Sequence, residues 1–251
     1  MTVNVYWTRS NPGTDDLAQI GFGKDAMISS MRVPEPVPLL KHMDYQEFFG
    51  PLVVRCPAIV DDLKNVFVIK SPVDLKLHIG MGKSTIKVVN QEMNFAKAFL
   101  GESQGKFGIH QLGMGYLFFS ESSLIATQLP AYYDINSFTE NTFTISASFD
   151  IGQWFRTAGK PAFIFKPGTT EIDIKEGDPL LYIKFNTQEK VKLIEFDDIE
   201  FKRLGDQSPE FLCGNLKKQS SFTISLARCY EYFNQYKMRR RILKLIKNNI
   251  I

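Results

Sequence analysis

The sequence predicts a mostly β protein, a twisted sandwich or partly closed barrel, carrying a basic amphipathic helix near its C-terminal end. Three observations lead there. Residues 142–196 read as consecutive short strands divided by turn residues. Phenylalanine fills 21 of the 251 positions and aromatics make up 13%, a Phe-rich, Ala-poor balance that suits strands. From about Ser221 the apolar spacing becomes helical, with Lys and Arg opposite the apolar stripe.

The elements follow in order. Met1-Thr-Val-Asn-Val-Tyr-Trp7 alternates like an edge or first strand and lacks the basic, long-apolar character of a signal peptide. Arg9-Ser-Asn-Pro-Gly-Thr14 has turn chemistry. Residues 15–45 are weakly patterned. Within them Val33-Pro-Glu-Pro-Val-Pro38 should be extended, because proline disfavours the α conformation at the residue before it. We read this stretch as an arm lying across the main domain, with a free linker as the alternative.

Cys56-Pro-Ala-Ile-Val-Asp-Asp-Leu-Lys-Asn65 reads as a short helix with Pro57 in its first turn, where a missing N–H costs least. Strands at Val66–Lys70 and Asp74–Ile79 flank Ser71-Pro72. The second places Leu75, Leu77 and Ile79 on one face and Asp74, Lys76 and His78 on the other. Thr85–Val89 makes a third strand. Asn90 to Gly113 is glycine-interrupted and reads as a long loop or insertion. Tyr116–Phe119 resumes the sheet.

Thr142-Phe-Thr-Ile-Ser-Ala-Ser-Phe149 alternates apolar and hydroxyl residues, so Phe143, Ile145 and Phe149 are expected inside. Ala162–Phe165 follows. Then Glu176-Gly-Asp-Pro179 turns the chain into a buried strand ending at Phe185. Asn186–Glu189 is a connecting turn, and Leu193–Phe196 closes the sheet. The expected organisation is a strand and irregular arm over residues 1–44, a β-rich core domain over 45–200 and a helical element over 201–251.

In that last element Met238, Ile242, Leu245 and Ile246 share one stripe, with Arg240, Arg241, Lys244 and Lys247 opposite. One reading is a terminal helix docking its stripe on the sheet or a partner subunit. The other is a basic surface for nucleic acid, using Arg239, Arg240, Arg241, Lys244 and Lys247.

Bulk composition narrows the classes. At 44% hydrophobic and 23% charged residues there is enough apolar content for one large core or two modest ones. A net charge of +3 is too small to imply a nucleic-acid partner by itself. Cys56, Cys213 and Cys229 leave an odd count with no C-x-x-C pair, against structural zinc and disulfides, and favour a reducing compartment. No apolar run approaches the ~20 residues that span a bilayer, so no membrane partner is expected.

Candidate chemistry is sparse. His42-Met-Asp44 has the H-x-D spacing of two facial iron ligands, with His110 as a third, but His42 follows a proline-rich arm rather than a strand. A chance H-x-D is the stronger reading. The three histidines are scattered and no nucleophile elbow accompanies them. Gly113-Met-Gly115 lacks the strand-then-helix context of a dinucleotide fingerprint, and there is no P-loop, so no cofactor is expected. Asp150 and Arg156 bracket Gly152 and Trp154 after a strand. They are the best pair for orienting water or gripping an anion, against the alternative of a surface ion pair beside a turn.

Several phrases resemble an uncharacterised family encoded by tailed phages, notably cyanophages, and by some bacteria. They are Cys56-Pro-Ala with Asp61, Ser71-Pro-Val-Asp74, Tyr116-Leu-Phe-Phe119, Phe149-Asp150, and Ile174-Lys-Glu-Gly-Asp-Pro179 before Ile183-Lys-Phe185. The resemblance covers roughly residues 45–200 plus the basic helix. It implies a phage or phage-like context and no particular activity. A fainter resemblance is to the dUTPase and dCTP deaminase superfamily. Asp150 matches that family's strand-end aspartate, Trp154 and Arg156 its Tyr-Arg-Gly segment, and Gly177-Asp-Pro-Leu-Leu-Tyr182 its Pro-Gly-x-x-Ile-Ala-Gln phrase. Ser120-Glu-Ser-Ser-Leu124 echoes its phosphate-contacting segment without the arginine. In place of a glycine-rich C-terminal arm this chain has a basic helix.

These readings lead to three expectations. The first is a non-enzymatic accessory or interaction protein of phage type, with a protein partner (itself, phage or host), in the host cytoplasm or the virion. The second is a dUTPase-like nucleotide-binding or nucleotide-hydrolysing protein in which Asp150 positions water, Ser122 and Ser123 contact phosphate and Trp154 helps to hold the ligand. The third is a nucleic-acid-associated protein acting through the basic helix.

Overall fold

The computed structural model describes residues 2–9, 34–43, 56–80, 86–89, 100–104, 108–112, 116–152, 156–158, 161–196 and 238–251. The chain opens with β1 (Thr2–Arg9), then β2 (Val37–Pro38), α1 (Leu39–His42) and α2 (Pro57–Leu63). Strands β3 (Val66–Lys70), β4 (Leu75–Ile79), β5 (Ile86–Val88), β6 (Leu100–Gln104), β7 (Ile109–Leu112), β8 (Tyr116–Ser120) and β9 (Ile125–Pro130) lead to α3 (Ser137–Asn141). After it come β10 (Thr142–Thr144), β11 (Ala147–Asp150), β12 (Arg156–Ala158), β13 (Ala162–Phe165), β14 (Glu171–Ile174), β15 (Pro179–Phe185) and β16 (Lys190–Glu195). The helix α4 (Met238–Asn248) lies near the C-terminal end.

The fold is mostly β. The sheets run β12-β8-β1-β16, β10-β13-β7-β6, β11-β9-β15-β3-β2 and β14-β4-β5, and none of these orders returns to its first strand. The first strand is central rather than an edge. β1 pairs antiparallel with β8 and parallel with β16. Its two faces are both covered. Val5 and Trp7 join Phe118 in the main core, while Tyr6 packs with Phe119, Phe196, Ile242 and Ile246 under α4. The apolar stripe of α4 therefore docks on the outer face of this sheet, leaving Arg240, Lys244 and Lys247 exposed. The helix was expected from about Ser221. Residues 197–237 lie outside the described residues, as do the side chains of Met238 and Arg241.

The Pro-rich segment is extended and lies on the domain. Val37 and Pro38 pair with Val68 and Phe67, and Leu39 is buried against Leu63, Val66 and Tyr182. α2 begins at Pro57, as expected, and buries Leu63. β4 buries Leu75 and Leu77 and turns Lys76 and His78 outward onto Glu171 of β14, at 2.7 and 2.9 Å. The turn at Gly177 has φ +89, which glycine adopts without steric cost, and Asp178 accepts the Lys175 amide at 2.8 Å.

Two expectations need correction. Residues 90–113 are not irregular throughout, because β6 and β7 form an antiparallel pair with a register shift between Gly101 and Gln104. The strand expected over 142–149 is two strands. β10 pairs with β13 and β11 with β9, the chain changing partners at Ile145–Ser146, as strands do at the corners between sheets. Its apolar face is not uniformly inside. Phe143 is 54% exposed and Ile145 39%, while Phe149 packs partly against the main core. Thr142 takes the inward position instead. Its hydroxyl donates to the Phe138 carbonyl at 2.7 Å, so its burial leaves no polar group unsatisfied. Among the described residues no helix is long and apolar enough to cross a membrane.

Candidate functional site

Asp150, Ser122 and Ser123 are brought together where β8 turns into β9. The backbone of the 120–124 turn is stitched to the end of β11, with Ile151 N donating to Leu124 O at 2.9 Å and Ser120 N to Ile151 O at 3.2 Å. Asp150 then closes the corner. Its Oδ2 accepts the Ser123 hydroxyl at 2.5 Å, and its Oδ1 accepts the Leu124 and Gly152 amides at 3.0 and 2.8 Å. A Cβ at Gly152 would stand 1.9 Å from the Ser122 carbonyl oxygen, so only glycine allows this approach. The Asp150 carboxylate thus faces three protein donors, a poor arrangement for taking a proton from water and a good one for locking two turns. The side chain of Arg156, and Trp154 altogether, lie outside the described residues.

The two described candidate metal ligands, His42 and His110, have different neighbours. His42 Nε2 lies 2.9 Å from Asp134 Oδ1, and Asp134 Oδ2 accepts the Tyr182 hydroxyl at 2.5 Å. Burial, then this carboxylate, push the Tyr182 hydroxyl well above the ordinary tyrosine range. His110 sits in β7 with its ring 5.9 Å from Phe163 and 4.9 Å from Phe165, and burial lowers its pKa. Asp44 lies outside the described residues. Among the described residues no group of three or more His, Cys, Asp or Glu is arranged to hold a metal ion.

Two of the five basic candidates on α4 are tied to one carboxylate-bearing residue. Lys247 Nζ lies 3.0 Å from Glu121 Oε1, and Arg239 donates to the Glu121 carbonyl. The same Oε1 accepts the Tyr6 hydroxyl at 2.7 Å. The Tyr6 hydrogen bond and Lys247 hold the Glu121 carboxyl below the usual carboxylate range. Burial, then Glu121, push Tyr6 up to about 12. Arg240 and Lys244 face solvent.

Sequence reasoning missed a cleft of about 590 Å³ between α2 and the β15–β16 turn, whose lining includes Asp61, Asp62, Lys64, Lys184, Asn186 and Gln188. Next in sequence to its lining residue Lys64 is Asn65, which has φ +62. The Asn65 carboxamide donates to the Thr187 and Glu189 carbonyls at 3.0 and 2.7 Å and accepts the Val191 amide at 2.9 Å. The available signal was an asparagine between a helix end and a strand, a position where that residue tolerates left-handed backbone. No protein-family model matches the chain, and comparison with curated proteins and with solved structures finds no match.

Proposed function

We propose that the chain is a non-enzymatic interaction protein, of the phage accessory kind that its sequence resembles, with a protein as partner. The observation that carries this is the outward face of β10. Phe143 is 54% exposed and Ile145 39% exposed on a segment whose backbone is paired to β13. Large apolar side chains held outward on a rigid sheet gain free energy when another surface covers them. Lys166 stands 5.3 Å from the Phe143 ring centroid and gives the patch a cationic rim. The phage setting, in host cytoplasm or virion, rests on the sequence resemblance alone. Affinity capture from infected-host lysate tests the reading, run with the native chain and with a Phe143→Asp, Ile145→Asp double variant. Loss of a captured protein in the variant supports it, and identical captures sink it.

A dUTPase-like reading has one observation in its favour, the meeting of Asp150 with Ser123. Against it, Asp150 is occupied by three donors within the turn. Stabilisation by nucleoside triphosphate with magnesium in thermal-shift measurements separates the two.

A further inference from the structure

The segment that holds β2 and α1 sits on the main domain in the way a bound peptide would. It lies at the outer end of the five-stranded sheet, where β2 is a strand of 2 residues beside β3. Val37 and Pro38 stand opposite Val68 and Phe67 in that antiparallel ladder. Leu39 then enters the domain, at 0% exposure, and packs with Leu63, Val66, Val68, Ala131 and Tyr182. Leu40 turns outward again. His42, three residues after the buried leucine, lies 2.9 Å from the Asp134 carboxylate. Strand addition at a sheet edge, with an apolar anchor in a pocket, is a standard mode of extended-peptide recognition.

The main domain builds the seat from its own bonds. The Asp134 amide donates to the Ala131 carbonyl at 3.1 Å, and the Asp134 carbonyl accepts the Thr139 hydroxyl at 2.8 Å. Its second carboxylate oxygen accepts the Tyr182 hydroxyl at 2.5 Å, so Tyr182 shapes both the leucine pocket and the polar anchor. On its other side β3 is fixed by β15. The arm is prepared as well. Pro34, Pro36 and Pro38 alternate along it, which favours an extended chain before docking and lowers the entropy lost on binding. Yet the arm uses only part of the edge. Its ladder stops at Val68, while β3 continues to Lys70.

We infer that this seat is a peptide-binding groove held closed by the chain's own arm. Its ligand is an extended segment of a partner protein, carrying a leucine anchor and a histidine three residues later. A foreign segment that stays in register beside Ile69 and Lys70 gains bonds that the arm does not make, whereas a second copy's arm would only repeat the existing ones. This surface is separate from the β10 face, so the two readings stand or fall independently.

Hydrogen exchange on the native chain is the first test. The Val37 and Met43 amides should exchange roughly a hundredfold faster than those of β3, because the arm opens while the domain stays folded. The second test is fluorescence anisotropy with a labelled peptide of residues 33–43. It should bind the full chain carrying Leu39→Ala and His42→Ala in the millimolar range or tighter, and at least about tenfold more weakly to the native chain, whose arm competes. Within the peptide, His42→Ala should weaken binding about tenfold and Leu39→Ala by more. The inference is overturned if the arm amides exchange only at the rate of β3, or if the peptide does not bind the doubly substituted chain at saturating millimolar concentration. It is equally overturned if the peptide variants bind as the native peptide does, or if the native chain forms dimers that Leu39→Ala abolishes, which would give the seat to a second copy.

Discussion

The Tyr6 hydroxyl donates to Glu121 at 2.7 Å across 115 residues of sequence, and Lys247 of α4 meets the same carboxylate oxygen at 3.0 Å. One carboxylate therefore connects the central strand to the helix that covers it. Glu121→Ala should cost about 1–2 kcal/mol in urea unfolding, mostly because the Tyr6 hydroxyl loses its carboxylate acceptor. The exposed Lys247 pair should add little. Because the Glu121 pKa is depressed in the fold, its contribution is complete above the ordinary carboxylate range. It is lost as pH falls through the depressed folded value. A native chain whose acid stability profile is unaltered by Glu121→Ala would contradict this.

Alkaline titration should show late ionisation at Tyr6, Tyr132 and Tyr182 among the described tyrosines. Tyr6 and Tyr132 are pushed up to about 12, chiefly by burial, and Tyr182 is shifted further in the same direction. A raised folded value means that the neutral form is favoured by folding. Stability from these groups is then present below about pH 10 and lost as pH climbs through the folded values. Ultraviolet difference spectra of the native chain should show late ionisation of this subset, and Glu121→Ala should move Tyr6 back towards the bulk group.

At Asn65, backbone and side-chain effects can be told apart. Asn65→Gly keeps left-handed backbone accessible but deletes three hydrogen bonds, whereas Asn65→Ala loses both. Alanine should be the worse substitution by about 1 kcal/mol. Equal unfolding midpoints for the two variants would show that the conformation carries no cost.

Gly152→Ala should destabilise the chain by about 3 kcal/mol or more, since the added Cβ meets the backbone oxygen of Ser122 and no side chain can yield. Asp150→Ala should be destabilising for a different reason, the loss of the acceptor for Ser123, Leu124 and Gly152. If Asp150→Ala left the melting temperature intact but abolished a nucleotide-dependent shift, the dUTPase-like reading would displace the one favoured above.

Should the basic helix bind nucleic acid, Arg240 and Lys244 are, among the described candidate side chains, the ones facing solvent without a tie to Glu121, which engages Arg239 and Lys247. Arg240→Ala with Lys244→Ala should then reduce both affinity and its steep salt dependence, measured by fluorescence anisotropy on labelled DNA. Binding that is absent at low salt removes the idea.

Local grammar was the legible part of this fold. The Gly177 turn, the alternation of Leu75 and Leu77, the start at Pro57 and the stripe of Ile242 and Ile246 each depend on neighbours a few residues away. Alternation over 142–149 announced two faces, and the apolar one expected inside is left exposed at Phe143 and Ile145. That choice was made by the Phe138 carbonyl, which gives the buried Thr142 hydroxyl a partner. The cleft was illegible for a related reason, because Asn65 and Thr187 are 122 positions apart. Asp134 likewise joins His42 and Tyr182 across distances no motif spans.

The placement of β1 between β8 and β16 carries a kinetic consequence. β1 must wait during synthesis for partners made more than a hundred residues later, the last of them aligned in parallel. Until Lys190–Glu195 is synthesised, Val5 and Trp7 belong to a strand with an open flank. Such late, long-range closure predicts slow maturation and a nascent chain that needs shielding from aggregation.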